Sequence, residues 1–164
     1  MKIQLAEQED FPGWLELASE VEELFGPMVD DPNFIQALEK SINRSSAFCV
    51  RENEGGPGSR LLGGMLFSSS HAPSYKIGWL AVSTHSRNKG VATALLNHIL
   101  TLVEIPSEIS VITFGEDNPG GQPARKFYRK FGFVPTSESV PDGPEGGSRQ
   151  KFQLFLPRSD DRQS

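Results

Sequence analysis

Apolar residues recur along the chain at two spacings, and these spacings predict most of the secondary structure. Helical spacing predicts four helices, over about 11–25, from Asp31-Pro32 to about 42, over about 90–104 and over 123–131. Short apolar or alternating runs predict strands at 2–5, 47–51, 61–69, 75–82, 108–114, near Phe133 and at 151–156. The glycine- and proline-rich segments 53–59 and 141–148 predict hairpin loops, so the strands beside them should be antiparallel.

The length and composition of the chain bound its organisation. It has 164 residues, of which 37% are hydrophobic and 23% charged, and it contains no internal repeat. These values predict a single domain over residues 1–156, followed by a disordered tail at 157–164. No apolar run approaches the ~18 residues of a membrane helix, which predicts a cytoplasmic protein with no membrane partner.

Charge and cysteine content exclude several classes of function. The formal net charge of −5 offers no basic stripe, so we expect no nucleic-acid partner, whereas a cationic acceptor would be favoured. Cys49 is the only cysteine, so the chain cannot form an internal disulfide. It lies in a predicted buried strand, where cysteine serves as a small hydrophobe rather than as a nucleophile. The three histidines, His71, His85 and His98, are scattered, and we expect no metal site.

The most informative segment joins the strand at 75–82 to the third helix through a short polar turn. The N–H groups at the start of such a helix lack intrahelical partners and lie at the positive end of its dipole, so they predict an anion site. Gly90 and Ala92 would let a diphosphate approach the backbone closely. A Walker loop would have Gly-Lys followed by Ser or Thr, whereas here Lys89 precedes Gly90. No Gly-x-Gly-x-x-Gly stands between a strand and a helix, so the sequence supports neither an NTPase nor a dinucleotide enzyme.

Two motifs resemble signatures of the GNAT superfamily of acyl-CoA N-acyltransferases. Arg87-Asn88-Lys89-Gly90-Val91-Ala92 matches its Arg/Gln-x-x-Gly-x-Gly/Ala pyrophosphate loop, and the preceding strand contains the expected Ile77-Gly78-Trp79-Leu80-Ala81-Val82. Downstream, 124–133 is similar to the family's Ala-x-x-Phe/Leu-Tyr-x-x-x-Gly-Phe signature. The resemblance runs from about the second strand to the end of the chain.

The resemblance implies a fold, a cosubstrate and a reaction. The fold is α/β (α+β), with a mixed, mostly antiparallel central sheet, a V-shaped splay between its two central strands and about four flanking helices. The cosubstrate is acetyl-CoA. Its pantetheine arm would pair with the main chain of Leu80, Ala81 and Val82, and its diphosphate with the amides of Arg87, Asn88, Lys89, Gly90, Val91 and Ala92. An acetyl group would pass directly to a primary amine, either a small molecule, a peptide or a lysine, in a ternary complex.

Tyr128 and Asn118 each have two interpretations. By the resemblance, Tyr128 is the acid that protonates the departing thiolate; alternatively, it only packs with Phe127 and Phe131. Asn118 would bind the pantetheine arm, although residues 119–123 lengthen the interval to the second signature. It is otherwise a turn residue before proline.

Several points stay open at the level of sequence. Candidates for the general base are Glu22, Glu23, Glu116, Asp117 or a chain of water molecules, and the two glutamates of the first helix fit a solvated surface better. The acceptor, the acyl-chain length and homodimer formation are not determined. Two other functions are compatible with the sequence. One is a noncatalytic CoA-binding or regulatory module that retains the same loop, and the other is an interaction domain without a CoA site.

Overall fold

The computed structural model describes residues 1–157, which form one sheet with helices on both faces. The strands are β1 (Gln4–Leu5), β2 (Ala47–Arg51), β3 (Leu61–His71), β4 (Ser74–Val82), β5 (Ser107–Phe114), β6 (Val134–Pro135) and β7 (Arg149–Leu156). The helices are α1 (Phe11–Phe25), α2 (Pro32–Asn43), α3 (Val91–Leu100) and α4 (Gln122–Lys130). The strand order is β1-β2-β3-β4-β5-β7-β6, and β4–β5 is the parallel pair in an otherwise antiparallel sheet. This architecture confirms the predicted fold class.

The ends of the first two helices follow from local chemistry. Gly26 ends α1 with φ of 96°, a conformation that glycine adopts without a steric penalty. Asp31 caps α2 because its side chain accepts a hydrogen bond from the N–H of Asn33 at 3.0 Å. Pro32 then occupies the first turn of α2, where its missing N–H costs nothing.

The predicted length of α3 is wrong at its C-terminal end. The helix stops at Leu100, because the N–H groups of Thr101 and Leu102 bond to carbonyls three residues back and tighten the last turn. Pro106 then disfavours helical geometry at the residue before it. Leu102, whose spacing continues the apolar pattern of α3, is therefore turned outward and 53% exposed.

The core lies in two layers, one on each face of the sheet. One layer joins α3 and α4 to the sheet through residues such as Leu95, Ile99 and Tyr128. The other joins α1 and α2 to β2–β4 through Trp14, Leu38 and their neighbours. No helix within residues 1–157 combines the length and apolar character needed to cross a membrane. Of the expected tail, only Pro157 belongs to the described residues.

Candidate functional site

The two central strands, β4 and β5, separate halfway along their length. Their pairing begins at Ser74 and Glu108 and ends where Ile77 faces Val111. Residues 78–82 of β4 and 112–114 of β5 have no partner across the space between them, which we call the β4–β5 gap. On the opposite side, residues 79–82 of β4 stay paired with β3. In an antiparallel ladder, alternate residues direct their N–H and C=O groups away from the partner strand. Backbone donors and acceptors of β4 therefore face the gap.

A β-bulge at Gly78 stands where the separation begins. Leu66 of β3 pairs with Trp79 and Phe67 pairs with Ile77, so Gly78 is an extra residue in β4. Residues two apart in a regular strand face the same side, but the bulge changes this alternation. Ile77 packs in the α3–α4 layer, whereas Trp79 packs against the α1–α2 layer. As a result, Leu80 and Val82 face the α3–α4 layer and Ala81 faces the other. A single glycine in an apolar strand was the only sequence signal for this bulge.

The chain runs from the gap-lining end of β4 through a short turn to the start of α3, where the predicted anion site lies. Gly90 is the N-cap of α3 and has φ of 83°, and within residues 1–157 no side chain caps the helix. Its first N–H groups are thus free to bind a ligand. A Cβ atom on Gly90 would meet nothing within 4 Å, so open space adjoins the backbone here. Asn88 also has a positive φ, of 62°, which asparagine tolerates better than most residues.

The predicted loop residues differ in exposure. Arg87, Asn88, Lys89 and Gly90 are exposed, whereas Val91 is buried under the sheet and Ala92 is half-buried. Among residues 1–157, the side chains of Arg87 and Lys89 form no ion pair with a carboxylate. The loop therefore combines uncapped N–H groups with two unneutralised cations, a combination suited to a diphosphate.

Glu20 of α1 holds the beginning of this loop, a role that the sequence did not reveal. Its Oε1 accepts hydrogen bonds from Ser83 Oγ at 3.0 Å, Thr84 Oγ1 at 2.9 Å and Thr84 N–H at 3.2 Å. Burial raises the pKa of Glu20, but these hydrogen bonds and the charge of Arg60 outweigh burial and leave the pKa below its usual value. An ionised carboxylate thus anchors the residues that follow β4.

Tyr128 lies on α4 at the level where the strands part. Its ring packs edge-on against Phe133 and lies 6.5 Å from the ring of Phe152. Phe152 of β7 faces Val111, the last residue of β5 that pairs with β4. Within the described residues the Tyr128 hydroxyl has no hydrogen-bond partner, and the residue is 5% exposed. Burial raises the pKa of its phenol above the usual range, so the hydroxyl remains a proton donor.

Most of the other candidate residues have structural roles. The Asn118 side chain accepts a hydrogen bond from Gly120 N–H at 3.0 Å, so its oxygen serves the turn before α4. Glu22 accepts from the N–H groups of Met28 and Val29, and these bonds lower its pKa, which makes it a weaker base. Glu23 is exposed on α1. Glu116 lies 3.7 Å from Arg125, and Asp117 accepts a hydrogen bond from Ser148.

A cavity of about 540 Å³ opens beyond the carboxyl end of β5. Its walls come from the residues after Phe114, from the β6–β7 loop and from the start of β7. Four carboxylates line it, from Glu116, Asp117, Glu138 and Asp142. Arg149, the one cation among the lining residues, is paired with Glu145 at 2.5 Å and stacked over Phe114. Glu138 is itself paired with Lys151 at 3.1 Å, but Lys151 is not among the lining residues, so the lining carries a net negative charge.

Cysteine and histidine form no second reactive centre in the part of the chain that the structure describes. Cys49 is buried in β2, and burial raises the pKa of its thiol to about 12, which confirms the core interpretation. His71 ends β3 rather than lying in a loop, and His98 packs against Phe48. No cluster of three or more His, Cys, Asp or Glu side chains within residues 1–157 could hold a metal ion.

Comparison with known proteins points to one family. A family model for the acetyltransferase (GNAT) domain matches residues 44–135, more than half of the chain. No protein with a curated function matches the sequence. The matched segment contains β2 to β5, the anion loop, α4 and Tyr128.

Solved structures of low sequence identity share the fold. Ard1 from Thermoplasma volcanium is similar, with 17% identity and a TM-score of 0.73 over 96% of this chain and 98% of that chain. A GNAT-family acetyltransferase from Bacillus cereus has 16% identity and a TM-score of 0.70, with 96% and 98% covered. PaiA N-acetyltransferase from Thermoplasma acidophilum, in complex with coenzyme A, has 16% identity and a TM-score of 0.70, with 94% and 98% covered. At these identities, the likeness establishes the fold alone.

Proposed function

Because the chain belongs to the GNAT acetyltransferase family, we propose that it transfers an acetyl group from acetyl-CoA to a primary amine. One observation carries the proposal: the strand that lines the β4–β5 gap leads to an uncapped helix start. A ligand that contacts both the gap and the start of α3 must combine hydrogen-bonding amides with an anionic group. The pantetheine arm and the diphosphate of CoA have these two properties in that order, and the PaiA structure contains coenzyme A.

The cofactor contacts follow from the backbone. The pantetheine amides would pair with main-chain groups of Leu80, Ala81 and Val82, since this part of β4 has no partner on the β5 side. The diphosphate would accept hydrogen bonds from N–H groups of residues 87–92, with Arg87 and Lys89 adding positive charge. Asn118 keeps its side-chain N–H₂ for a contact with the arm, while its oxygen serves the turn.

The chemical step needs three groups besides the two substrates. The neutral amine attacks the thioester carbon, the C–S bond breaks, and the thiolate takes the phenol proton of Tyr128, which regains a proton from water once CoA has left. A main-chain N–H of β4 at the gap would stabilise the oxyanion that forms on the carbonyl. The proton lost by the amine passes to water or to a carboxylate near the end of β5, such as Glu116 or Asp117. The transfer takes place in a ternary complex without an acyl-enzyme.

The cofactor site is tested by titrating the protein with acetyl-CoA in a calorimeter. We expect saturable binding, and loss of at least tenfold in affinity in Gly90→Glu, whose carboxylate would repel the diphosphate. Gly146→Glu is the matched control: Gly146 also has a positive φ, of 89°, and open space beside it, but it lies in the β6–β7 loop. Absence of wild-type binding, or equal loss in both variants, would refute the cofactor site.

The acidic cavity beyond β5 favours an acceptor that carries a second positive charge. We therefore expect 1,4-diaminobutane to have a KM about 3- to 10-fold lower than 4-amino-1-butanol, with the difference shrinking in high salt. Glu138→Gln and Asp142→Asn should reduce this preference, because both remove negative charge from the lining. Equal KM values for the two acceptors would contradict a cationic acceptor. Acetyl-CoA binding without turnover on amines or peptides would instead support a noncatalytic CoA-binding module.

A further inference from the structure

We propose that Arg125 is a positioning residue that holds Tyr128 at the β4–β5 gap by fixing α4 to the ends of β5 and β7. The inference rests on the proposed acid role of Tyr128. Arg125 lies one turn before Tyr128 on α4, and the residue is 4% exposed. It therefore faces the sheet rather than the solvent.

The guanidinium joins α4 to two strands at once. Its Nη1 donates to the carbonyl oxygen of Phe114 at 2.9 Å and to Gln150 Oε1 at 2.7 Å. Phe114 ends β5, the strand that diverges from β4, and Gln150 of β7 faces Thr113 of β5. Both acceptors thus lie at the open end of the gap, so this end of β5 is tied to the helix that carries Tyr128.

The surroundings of Arg125 distinguish a positioning role from a surface ion pair. The carboxylate of Glu116 lies 3.7 Å away but is 80% exposed, so it is a weak partner in water. The bonds at shorter distance go to neutral oxygens. Burying a cation costs free energy unless hydrogen bonds of this kind satisfy it. If packing were the only requirement at this position, an apolar side chain would meet it. The specific contribution of arginine here is the directed link to Phe114 and Gln150.

Arg125 and Tyr128 also share a neighbour. The guanidinium carbon lies 4.9 Å from the centre of the Phe152 ring, on which the Tyr128 ring also packs. If the link were lost, α4 could shift relative to β5 and β7 while its apolar contacts remained. A displacement of about 1 Å in a catalytic group can reduce a rate by about 10²-fold. The cofactor contacts proposed on β4 and on the loop at 87–92 would be left in place.

Steady-state kinetics of Arg125→Gln and Arg125→Lys test the inference, with Arg129→Gln as the matched control. Arg129 is on the same helix, carries the same charge and lies 5.7 Å from the Phe152 ring, but it is exposed. We expect kcat to fall by about 10- to 100-fold in Arg125→Gln, with the acetyl-CoA KM within about twofold of wild type. Arg125→Lys, which keeps a donor and the charge, should recover part of kcat, and Arg129→Gln should resemble wild type.

A second measurement does not depend on turnover. The chain has two tyrosines, so 3-fluorotyrosine labelling in a Tyr75→Phe background leaves Tyr128 as the single ¹⁹F label. We expect Arg125→Gln to move or broaden this resonance, whereas Arg129→Gln should change neither its position nor its width. A folded Arg125→Gln protein with wild-type kcat and an unchanged ¹⁹F signal would overturn the inference.

The outcomes separate the inference from the proposed function. If Arg125→Gln does not fold, Gln150→Leu decides, because it removes one acceptor of the link; wild-type kcat together with an unchanged ¹⁹F signal in that variant would overturn the positioning role. If the wild-type protein transfers no acetyl group, the proposed function fails, and the ¹⁹F comparison still shows whether Arg125 holds Tyr128 in place.

Discussion

Tyr128 provides the sharpest prediction for a single residue. We expect Tyr128→Phe to reduce kcat by about 10²-fold, because the variant keeps the ring packing and removes only the proton donor. Acetyl-CoA affinity should be unchanged in calorimetry. The control is Tyr75→Phe, since Tyr75 is also buried but its hydroxyl accepts a hydrogen bond from Glu104 N–H, away from the gap. Equal kcat in wild type and Tyr128→Phe would leave Tyr128 with a packing role.

The pH dependence of kcat gives a further test of the same side chain. Burial raises the pKa of Tyr128 above the ordinary tyrosine value of about 10, so the phenol stays protonated over the accessible alkaline range. We expect kcat to show no descending limb between pH 7 and about 9.5. A fall in kcat over this range that disappears in Tyr128→Phe would contradict the buried, neutral phenol.

Sequence predicted individual residues only where a signature or a strong chemical preference marked them. Gly90 and Tyr128 belong to the two signatures. The structure places Gly90 at the start of α3 and Tyr128 on α4, packed against Phe152 beside the gap. Glu20 and Arg125 were missed, because a charged residue on an amphipathic helix usually faces solvent. The partner of Glu20, Ser83, is 63 residues away in the chain, and the partner of Arg125, Gln150, is 25 residues away. Contacts of that kind leave no local pattern.

At the scale of elements, the loop between β4 and α3 depends on α1 for its position. We expect Glu20→Ala to weaken acetyl-CoA binding by about 5- to 30-fold, equivalent to about 1–2 kcal/mol, since the anchors of Ser83 and Thr84 would be lost. Calorimetry would measure the change. Glu16→Ala, on an exposed position one turn earlier in α1, should have no effect. Similar affinities in Glu20→Ala and wild type would show that the loop holds its geometry unaided.

The elements themselves were predicted well, and their junctions less well. Apolar spacing located all four helices and the strand runs, because each element buries one face. The spacing could not reveal that α3 ends at Leu100, since Leu102 continues the apolar pattern beyond the last helical turn. Nor could it reveal the bulge at Gly78, which depends on how β3 and β5 pair with β4. The bulge results from tertiary strand pairing, whereas the end of α3 results from a tightened last turn that apolar spacing does not record.

At the scale of the whole molecule, a buried ion pair joins several segments far from the gap. Arg51 Nη2 lies 2.6 Å from Asp10 Oδ2, and Arg51 Nε donates to Asp10 Oδ1 at 3.1 Å. Asp10 also accepts from the N–H groups of Glu7 and Gly58, and Arg51 donates to the carbonyl of Leu5. The pair thus links the start of α1 to β1, β2 and the β2–β3 loop. Neither residue belongs to a recognisable motif, and only the fold brings them together.

We expect Asp10→Asn to lower the free energy of unfolding by about 3–5 kcal/mol, because it leaves the buried Arg51 charge without its partner. Thermal and urea unfolding would measure the loss at pH 7. The control is Glu138→Gln, which breaks an exposed pair with Lys151 and should cost less than about 1 kcal/mol. Comparable losses in the two variants would contradict a structural role for the buried pair.

The same pair predicts how the stability of the molecule depends on pH. Burial raises the pKa of Asp10, but hydrogen bonds from Arg51, Gly58 and Glu7 and the Arg51 charge outweigh burial and lower the pKa below its usual value. The contribution of the pair is therefore fully present above the unfolded-state pKa of about 3.9 and is lost as pH falls towards the lower folded-state value. The stability difference between wild type and Asp10→Asn should stay constant from pH 7 to about 5 and shrink below about 4, as measured by urea unfolding at each pH. A difference that already shrinks between pH 7 and 5 would mean that the Asp10 carboxyl has a raised pKa and that burial prevails over its hydrogen bonds.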